Sequence, residues 1–297
     1  MNQSISAFEA ADAQAFRDHS TYPAHRTEAP LFTADSVELR VARSKDDLES
    51  AFKLLHDAYV DCGYMEPQQS GMRISFYNAL PTTSTLIALH EGVIVGTVSL
   101  IRENQIGFPA ERVFDLTEIR RVGGAVAEIS ALAIHARYRK RGSHILFALM
   151  KFMFHHARDL FGTRHLVIAV HPTHFPLYES LGFKRLPDTV DSYDFVNGAP
   201  AVGGHVDLAT VADFIFRRYA HLSGRKNLYD YFYRQRLTRL SCAAETFTAD
   251  GAPVMSPRLV KYFFAEQTSI LRDMGEHVRG VLRSMYRAHG YAGELLW

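Results

Sequence analysis

One stretch limits the possible folds more than any other: Glu128-Ile-Ser-Ala-Leu-Ala-Ile-His-Ala-Arg-Tyr-Arg-Lys-Arg-Gly-Ser. It sets a carboxylate inside an apolar strand, then Arg137, Arg139, Lys140 and Arg141 around one tyrosine, then Gly142 and Ser143 at the start of an apolar helix. A helix N-terminus presents unpaired backbone N–H groups and the positive end of its dipole, and glycine permits close approach of an anion. Strand, basic turn and helix in succession thus predict a phosphate-binding unit in an α/β sheet. Between residues 135 and 164 stand seven Lys/Arg (Arg137, Arg139, Lys140, Arg141, Lys151, Arg158, Arg164) and one acid, Asp159. This local excess of six lies in a chain of formal net charge +1. Overall charge therefore gives no reason to expect nucleic acid or an anionic membrane, whereas the patch predicts an acidic partner.

The flanking pattern extends the sheet. Val37, Leu39 and Val41 alternate as a strand, and Ser44 is a helix N-cap before Leu48, Ala51, Phe52, Leu55 and Tyr59 at helical spacing. Residues 63–83 mix turn formers with Met65, Met72, Phe76 and Tyr77, which fits a short helical cover. Two apolar runs flank Glu91-Gly92 and predict an antiparallel hairpin. Residues 125–134 read as a strand, and the helix opened by Gly142 carries Ile145, Leu149, Phe152, Met153, His156 and Leu160 to a stop at Gly162. Residues 165–170 are a buried strand, 175–181 a short helix stopped by Gly182, and 183–186 the start of another strand.

Past Asp191 the glycines 198, 203 and 204 and Pro200 interrupt a weak strand signal, which suggests a soft boundary. Aromatic-rich helical stretches follow over 208–240, and Pro257 opens one long amphipathic helix reaching His289. The expected organisation is a polar N-terminal arm (1–35), an α/β core (36–208) and a C-terminal helical extension packed on that core (209–297). With 47% hydrophobic residues in 297, the chain can bury a sizeable core. Cys62 and Cys242 are too few for a disulfide framework. Neither a secretory signal nor an apolar run of roughly 20 residues is legible, so the expected location is the cytoplasm.

Arg139, Gly142 and His144 follow, with a departure at the last position, the Arg/Gln-x-x-Gly-x-Gly/Ala signature of the GNAT N-acyltransferase superfamily. Phe175-Pro-Leu-Tyr178-Glu-Ser-Leu181-Gly182-Phe183 is similar to that superfamily's second landmark, a short helix with a tyrosine followed by Leu-Gly-Phe. The resemblance covers roughly 37–208 and implies a mixed, largely antiparallel sheet flanked by helices. Within the superfamily the chain resembles bacterial long-chain N-acyl amino acid synthases, relatives of the acyl-homoserine-lactone autoinducer synthases. The carriers of that likeness are Glu128-Ile-Ser130 before Leu132-Ala-Ile, His171-Pro172, and Val196-Asn-Gly-Ala-Pro-Ala201 through Asp207-Leu208. Ala131 stands where homoserine-lactone synthases commonly have arginine, which favours an amino acid acceptor over a lactone precursor.

The resemblance implies transfer of a fatty acyl group from the 4′-phosphopantetheine of an acidic acyl carrier protein to the α-amine of an amino acid. His144 crowds the second close approach that a CoA pyrophosphate makes, whereas a carrier protein presents a single phosphate. Such a reaction needs a base for the amine, donors for the carbonyl oxygen and an acid for the leaving thiolate. Glu128 is the expected base, its carboxyl desolvated within an apolar strand, or else it is an ion-paired strand residue. Tyr178 is the expected acid, or a packing tyrosine. Backbone groups of Ala131, Leu132 and Ala133 would hold pantetheine, and Arg137, Arg139, Lys140, Arg141, Gly142 and Ser143 its phosphate.

Ser130 and His171 are candidates for the acceptor; the alternatives are a hydroxyl satisfying the backbone and a surface histidine. His171 and His174 have no acidic or cysteine companions for zinc, so no metal is expected. Phe52, Leu55, Tyr59, Met65, Met72, Phe76 and Tyr77 either line an acyl tunnel or pack an ordinary core. Tyr229, Tyr231, Phe232 and Tyr233, set among basic residues, read as helical packing rather than a single-strand stacking platform. Two competing functions share these features: an acetyl-CoA-dependent transferase acting on a small amine, and a noncatalytic acyl-binding domain.

Overall fold

A computed structural model describes residues 37–139, 143–235 and 255–291. The expected N-terminal arm, Lys140, Arg141, Gly142, Arg236 and Cys242 lie outside these residues. Seven strands form one sheet: β1 (Glu38–Val41), β2 (Thr83–His90), β3 (Val93–Arg102), β4 (Ala125–Ile134), β5 (Thr163–Val170), β6 (Lys184–Tyr193) and β7 (Ala199–Asp207). Their order is β1-β2-β3-β4-β5-β7-β6, antiparallel throughout except for the parallel pair β4–β5. The mixed, largely antiparallel architecture expected from the sequence is therefore present.

Local chemistry accounts for the elements. Helix α1 (Lys45–Asp61) begins where the Ser44 hydroxyl accepts the Asp47 N–H at 3.1 Å. The β2–β3 hairpin turns on Glu91 and Gly92, both at positive φ, which matches the right-handed twist of the flanking strands. Helix α2 (Thr117–Val122) precedes β4. Helix α3 (Ser143–His155) widens into a π-helical turn, His156–Leu160, and ends before Gly162 at φ 60°. Helices α4 (Phe175–Ser180) and α5 (Val211–Tyr219) bracket the last two strands.

The sheet buries both faces. On one, Ile145, Leu149, Phe152 and Met153 of α3 pack on Leu86, Val98, Leu100, Ala127 and Ile129. On the other, Leu48 and Phe52 of α1 meet Ile87, Leu89, Ile101, Val126 and Val167, together with Val260, Phe263, Phe264 and Tyr286 from the C-terminal stretch. Phe52 and Phe263 meet edge to face at 5.3 Å.

Two expectations are corrected here. The interrupted signal past Asp191 is a full interior strand, β7, and its glycines are packing requirements. A Cβ on Gly203 would sit 2.7 Å from Leu186, and one on Gly204 2.8 Å from Phe175. The single long C-terminal helix is instead a series: Pro257–Lys261 running into a wider turn Tyr262–Glu266, a turn Ile270–Asp273, and helix α6 (Glu276–Ala288). Extended backbone at Met274 and Gly275 breaks it, so Leu282 and Tyr286 are the buried side chains of α6, rather than Val278 and Val281. Phe52, Leu55, Met72 and Tyr77 are buried core, one of the two readings that the sequence allowed. An apolar cavity of roughly 30 Å³ lies on the α3 face, among Met150, Met153, Phe154, Leu181, Phe183 and Phe232.

Candidate active site

The site begins where two strands part. β4 and β5 pair from Ala125↔Thr163 to Glu128↔Val167 and then stop, although β4 continues to Ile134 and β5 to Val170. On its other side β4 bulges against β3: Thr97 opposes Ala133 and Ser99 opposes Ser130, leaving Ala131 and Leu132 together opposite Val98. Ala131 takes φ 55°, a left-handed conformation that costs a non-glycine residue about 1–2 kcal/mol. The bulge re-aims the backbone of Ala131, Leu132 and Ala133 along an edge that β5 has left. Leu55, Ala58 and Tyr59 of α1 cover that edge.

Glu128 sits at the apex of the split. It is 2% exposed, and one carboxyl oxygen accepts the Ala110 N–H at 2.8 Å. Burial pushes its pKa up from 4.5 to about 8; the Ala110 and Ser130 hydrogen bonds act in the opposite sense, and the nearby Glu111 carboxylate adds to the rise. No cation pairs with it among the described residues, so the ion-paired alternative fails. Ser130 is half-buried two residues further along β4.

Tyr178, on α4, is 4% exposed and packs edge to face with Phe183 at 5.5 Å. Burial and the neighbouring Tyr59 raise its pKa, keeping the phenol protonated. Burial, with the Glu128 carboxylate nearby, also raises the pKa of Tyr77 and of Tyr193. His171, at the end of β5, bonds the Thr173 hydroxyl at 2.8 Å and lies 6.2 Å from the Tyr64 ring. Burial, with His171 nearby, lowers the pKa of His174. Among the described residues no three His, Cys, Asp or Glu side chains converge as metal ligands.

The basic patch is smaller than the sequence suggests. Lys151 is 1% exposed and donates to the Gln235 carbonyl at 2.8 Å, with burial lowering its pKa to about 8. Arg158 pairs with Asp159, and Arg164 with Asp207. Arg139 donates to the Ile134 carbonyl and lies 3.4 Å from Asp61, tying the turn to the end of α1. Arg137 remains exposed on the one-turn helix Ala136–Arg139, a few residues before α3 begins at Ser143. Sequence spacing cannot reveal the pairings of Lys151, Arg164 and Arg139, whose partners are remote in the chain, whereas Arg158 pairs with its own neighbour.

Sequence reasoning missed residues 103–124, which supply Ala110, and it missed Tyr193 and Arg73. Pro109 at the first position of a tight turn, with Glu111 accepting the Phe108 N–H, was a readable signal for the first. Nothing local marks the other two.

A β-bulged strand that splits from its parallel neighbour and is followed in the chain by helix α3 is the arrangement of a GNAT-type fold. The profile of the family described as N-acyl amino acid synthase FeeM matches residues 50–207, a little over half the chain, and the protein belongs to that family. Among solved structures, FeeM itself, from uncultured soil microbes, is 20% identical with TM-score 0.52, over 60% of this chain and 93% of that one. The acyl-homoserine-lactone synthase LasI is 15% identical (TM-score 0.44, 58% and 90% covered). The CoA-dependent synthase BjaI is 19% identical (TM-score 0.44, 62% and 88% covered). No curated protein sequence matches the chain. The described residues contain no helix long and apolar enough to cross a membrane.

Proposed function

We propose that the protein moves a long-chain fatty acyl group from the phosphopantetheine thioester of an acyl carrier protein to the α-amine of an amino acid, in the cytoplasm. The observation that carries this reading is Glu128, a buried and unpaired carboxyl at the point where β4 leaves β5. The pantetheine arm lies along the freed edge at Ala131, Leu132 and Ala133, its amides bonding the strand backbone as an added strand does. Its phosphate rests at the turn of Arg137, Arg139, Lys140, Arg141, Gly142 and Ser143. Residues 36–208 form the catalytic unit and 209–297 a cover for it.

Glu128 takes one proton from the acceptor's ammonium group. The freed nitrogen bonds to the acyl carbon, and strand N–H groups receive the developing oxyanion. The carbon–sulfur bond then breaks, the thiolate takes the Tyr178 proton, and the second proton leaving nitrogen restores the phenol. A carboxyl titrating near 8 suits this step, since a base works best when its pKa lies close to ambient pH.

The test is incubation with acyl carrier protein bearing a labelled fatty acyl group, with the same acyl group on CoA, or with acetyl-CoA, each beside the twenty amino acids. Mass spectrometry should find N-acyl amino acids formed chiefly from the carrier-bound donor. Transfer from acetyl-CoA alone would overturn the proposal.

A further inference from the structure

The cluster beside Glu128 contains a buried cation with no acid to balance it. Arg73 is 8% exposed, and its guanidinium lies 4.0 Å from the centre of the Tyr59 ring and 4.9 Å from that of Phe195. Its side chain makes one hydrogen bond, to the Phe195 carbonyl at 2.9 Å. Other arginines of this fold are compensated. Arg40 meets Asp47, Arg120 meets Glu103 and Glu111, Arg164 meets Asp207, and half-buried Arg102 donates to two carbonyls, those of Thr82 and Pro81. Among the described residues no carboxylate comes within ion-pair distance of Arg73. Removing a cation from water costs several kcal/mol unless a partner replaces the water, so an unmatched one implies an anion that arrives from outside.

A second orphan faces the same place. Tyr193 is 3% exposed, and its hydroxyl is buried without any hydrogen-bond partner. Buried hydroxyls are rarely left so. The Tyr193 ring stacks on Phe195, 5.9 Å between centres, and Phe195 is the residue that holds Arg73 through its carbonyl and its ring. Tyr193 also packs with Ala110, whose N–H donates to the Glu128 carboxyl at 2.8 Å. Arg73, Tyr193 and Glu128 thus neighbour one aromatic cluster that includes Tyr59, Tyr77 and Phe195.

We propose that Arg73 and the Tyr193 hydroxyl seat the α-carboxylate of the acceptor, which directs its amine at Glu128. This deepens the acceptor half of the proposed function and rests on it. A guanidinium presents parallel donors that fit a carboxylate in two-point fashion, and a phenol can add a third hydrogen bond. The aromatic cluster keeps water from competing. The substrate class that follows is the free α-amino acid, as opposed to an amine, a peptide N-terminus or an amino amide, none of which carries a charge at that position.

The discriminating measurement uses the amino acid that the wild-type protein acylates from an equimolar set of the twenty, and that amino acid's α-carboxamide, with saturating acyl carrier protein donor. Wild type should prefer the acid. In Arg73→Gln the ratio of kcat/KM for acid over carboxamide should fall about 10- to 100-fold, the range for losing a charge-assisted contact, and mainly through the KM of the acid. Arg73→Lys should keep part of the preference, and Tyr193→Phe should lower it less. A merely structural Arg73 would weaken both substrates alike and leave the ratio where it was. An unchanged ratio in Arg73→Lys and Tyr193→Phe overturns the assignment even if Arg73→Gln fails to fold. Wild-type protein that acylates no amino acid overturns the acceptor reading itself, and the seat with it.

Discussion

Replacing Glu128 by glutamine should separate its burial from its chemistry. The folded protein holds this carboxyl at a pKa of about 8, against 4.5 for an ordinary glutamate. Between those values the folded state binds a proton that the unfolded state has lost, so stability falls as pH rises through the window and levels off above it. Integrated over the two titrations, the loss is under ~1 kcal/mol at pH 5 and ~4 kcal/mol at pH 8. Urea unfolding at both pH values should therefore show wild type losing about 3 kcal/mol more than Glu128→Gln between pH 5 and pH 8. The amide keeps the shape and still accepts the Ala110 N–H. In the same preparations wild-type transfer should rise toward pH 8, and the variant should be slower by roughly 100-fold or more, the usual contribution of a general base. Parallel stability curves for the two proteins would refute the protonated burial of Glu128. A variant that is stabilised at pH 8 yet fully active would refute its role as base while leaving its burial intact.

Other consequences are separable. Tyr178→Phe should lower kcat by roughly 100-fold with little change in acceptor KM, as expected for loss of a general acid; stopped kinetics with unchanged kcat would contradict this. Arg137→Glu should raise the KM for acyl carrier protein several-fold at low ionic strength, with the effect shrinking as the ~10 Å screening length at 0.1 M salt shortens further. A KM insensitive to salt would argue against an acidic partner at this turn. Gly204→Ala should cost about 1–3 kcal/mol in urea unfolding, because its Cβ would fall 2.8 Å from Phe175 and 2.9 Å from Ile168. An unshifted midpoint would mean that β7 is packed differently.

What the sequence disclosed, and what it withheld, follows the range of the forces involved. The β2–β3 hairpin, the Ser44 cap and the span of β4 were legible because neighbouring residues fix them: Glu91-Gly92 accept positive φ, and a serine three residues before an N–H can cap it. The β7 strand was obscured by glycines whose reason lies in Phe114, Leu186 and Phe175, each remote in the chain. The bulge at Ala131 runs against local preference, since alanine avoids the conformation it adopts there, and only pairing with β3 holds it. Glu128 was readable as a carboxyl in an apolar strand, and its burial agrees. Arg73 and Tyr193 were not readable, because their partner Phe195 is 122 residues from Arg73. Long-range contacts likewise engage Lys151 and Arg164, two of the seven cations that the sequence places in one patch.

The Tyr286 hydroxyl donates to the Ala79 carbonyl at 2.9 Å and reaches the Met255 carbonyl at 3.3 Å. Ala79 ends the short turn Phe76–Ala79, which carries Tyr77, a few residues after Arg73. The last helix thereby grips from behind the short turn that follows Arg73, like a hand on the back of a drawer. Because Leu282 and Tyr286 also fill the core on the sheet's second face, shortening the C-terminus should loosen that turn and the sheet together.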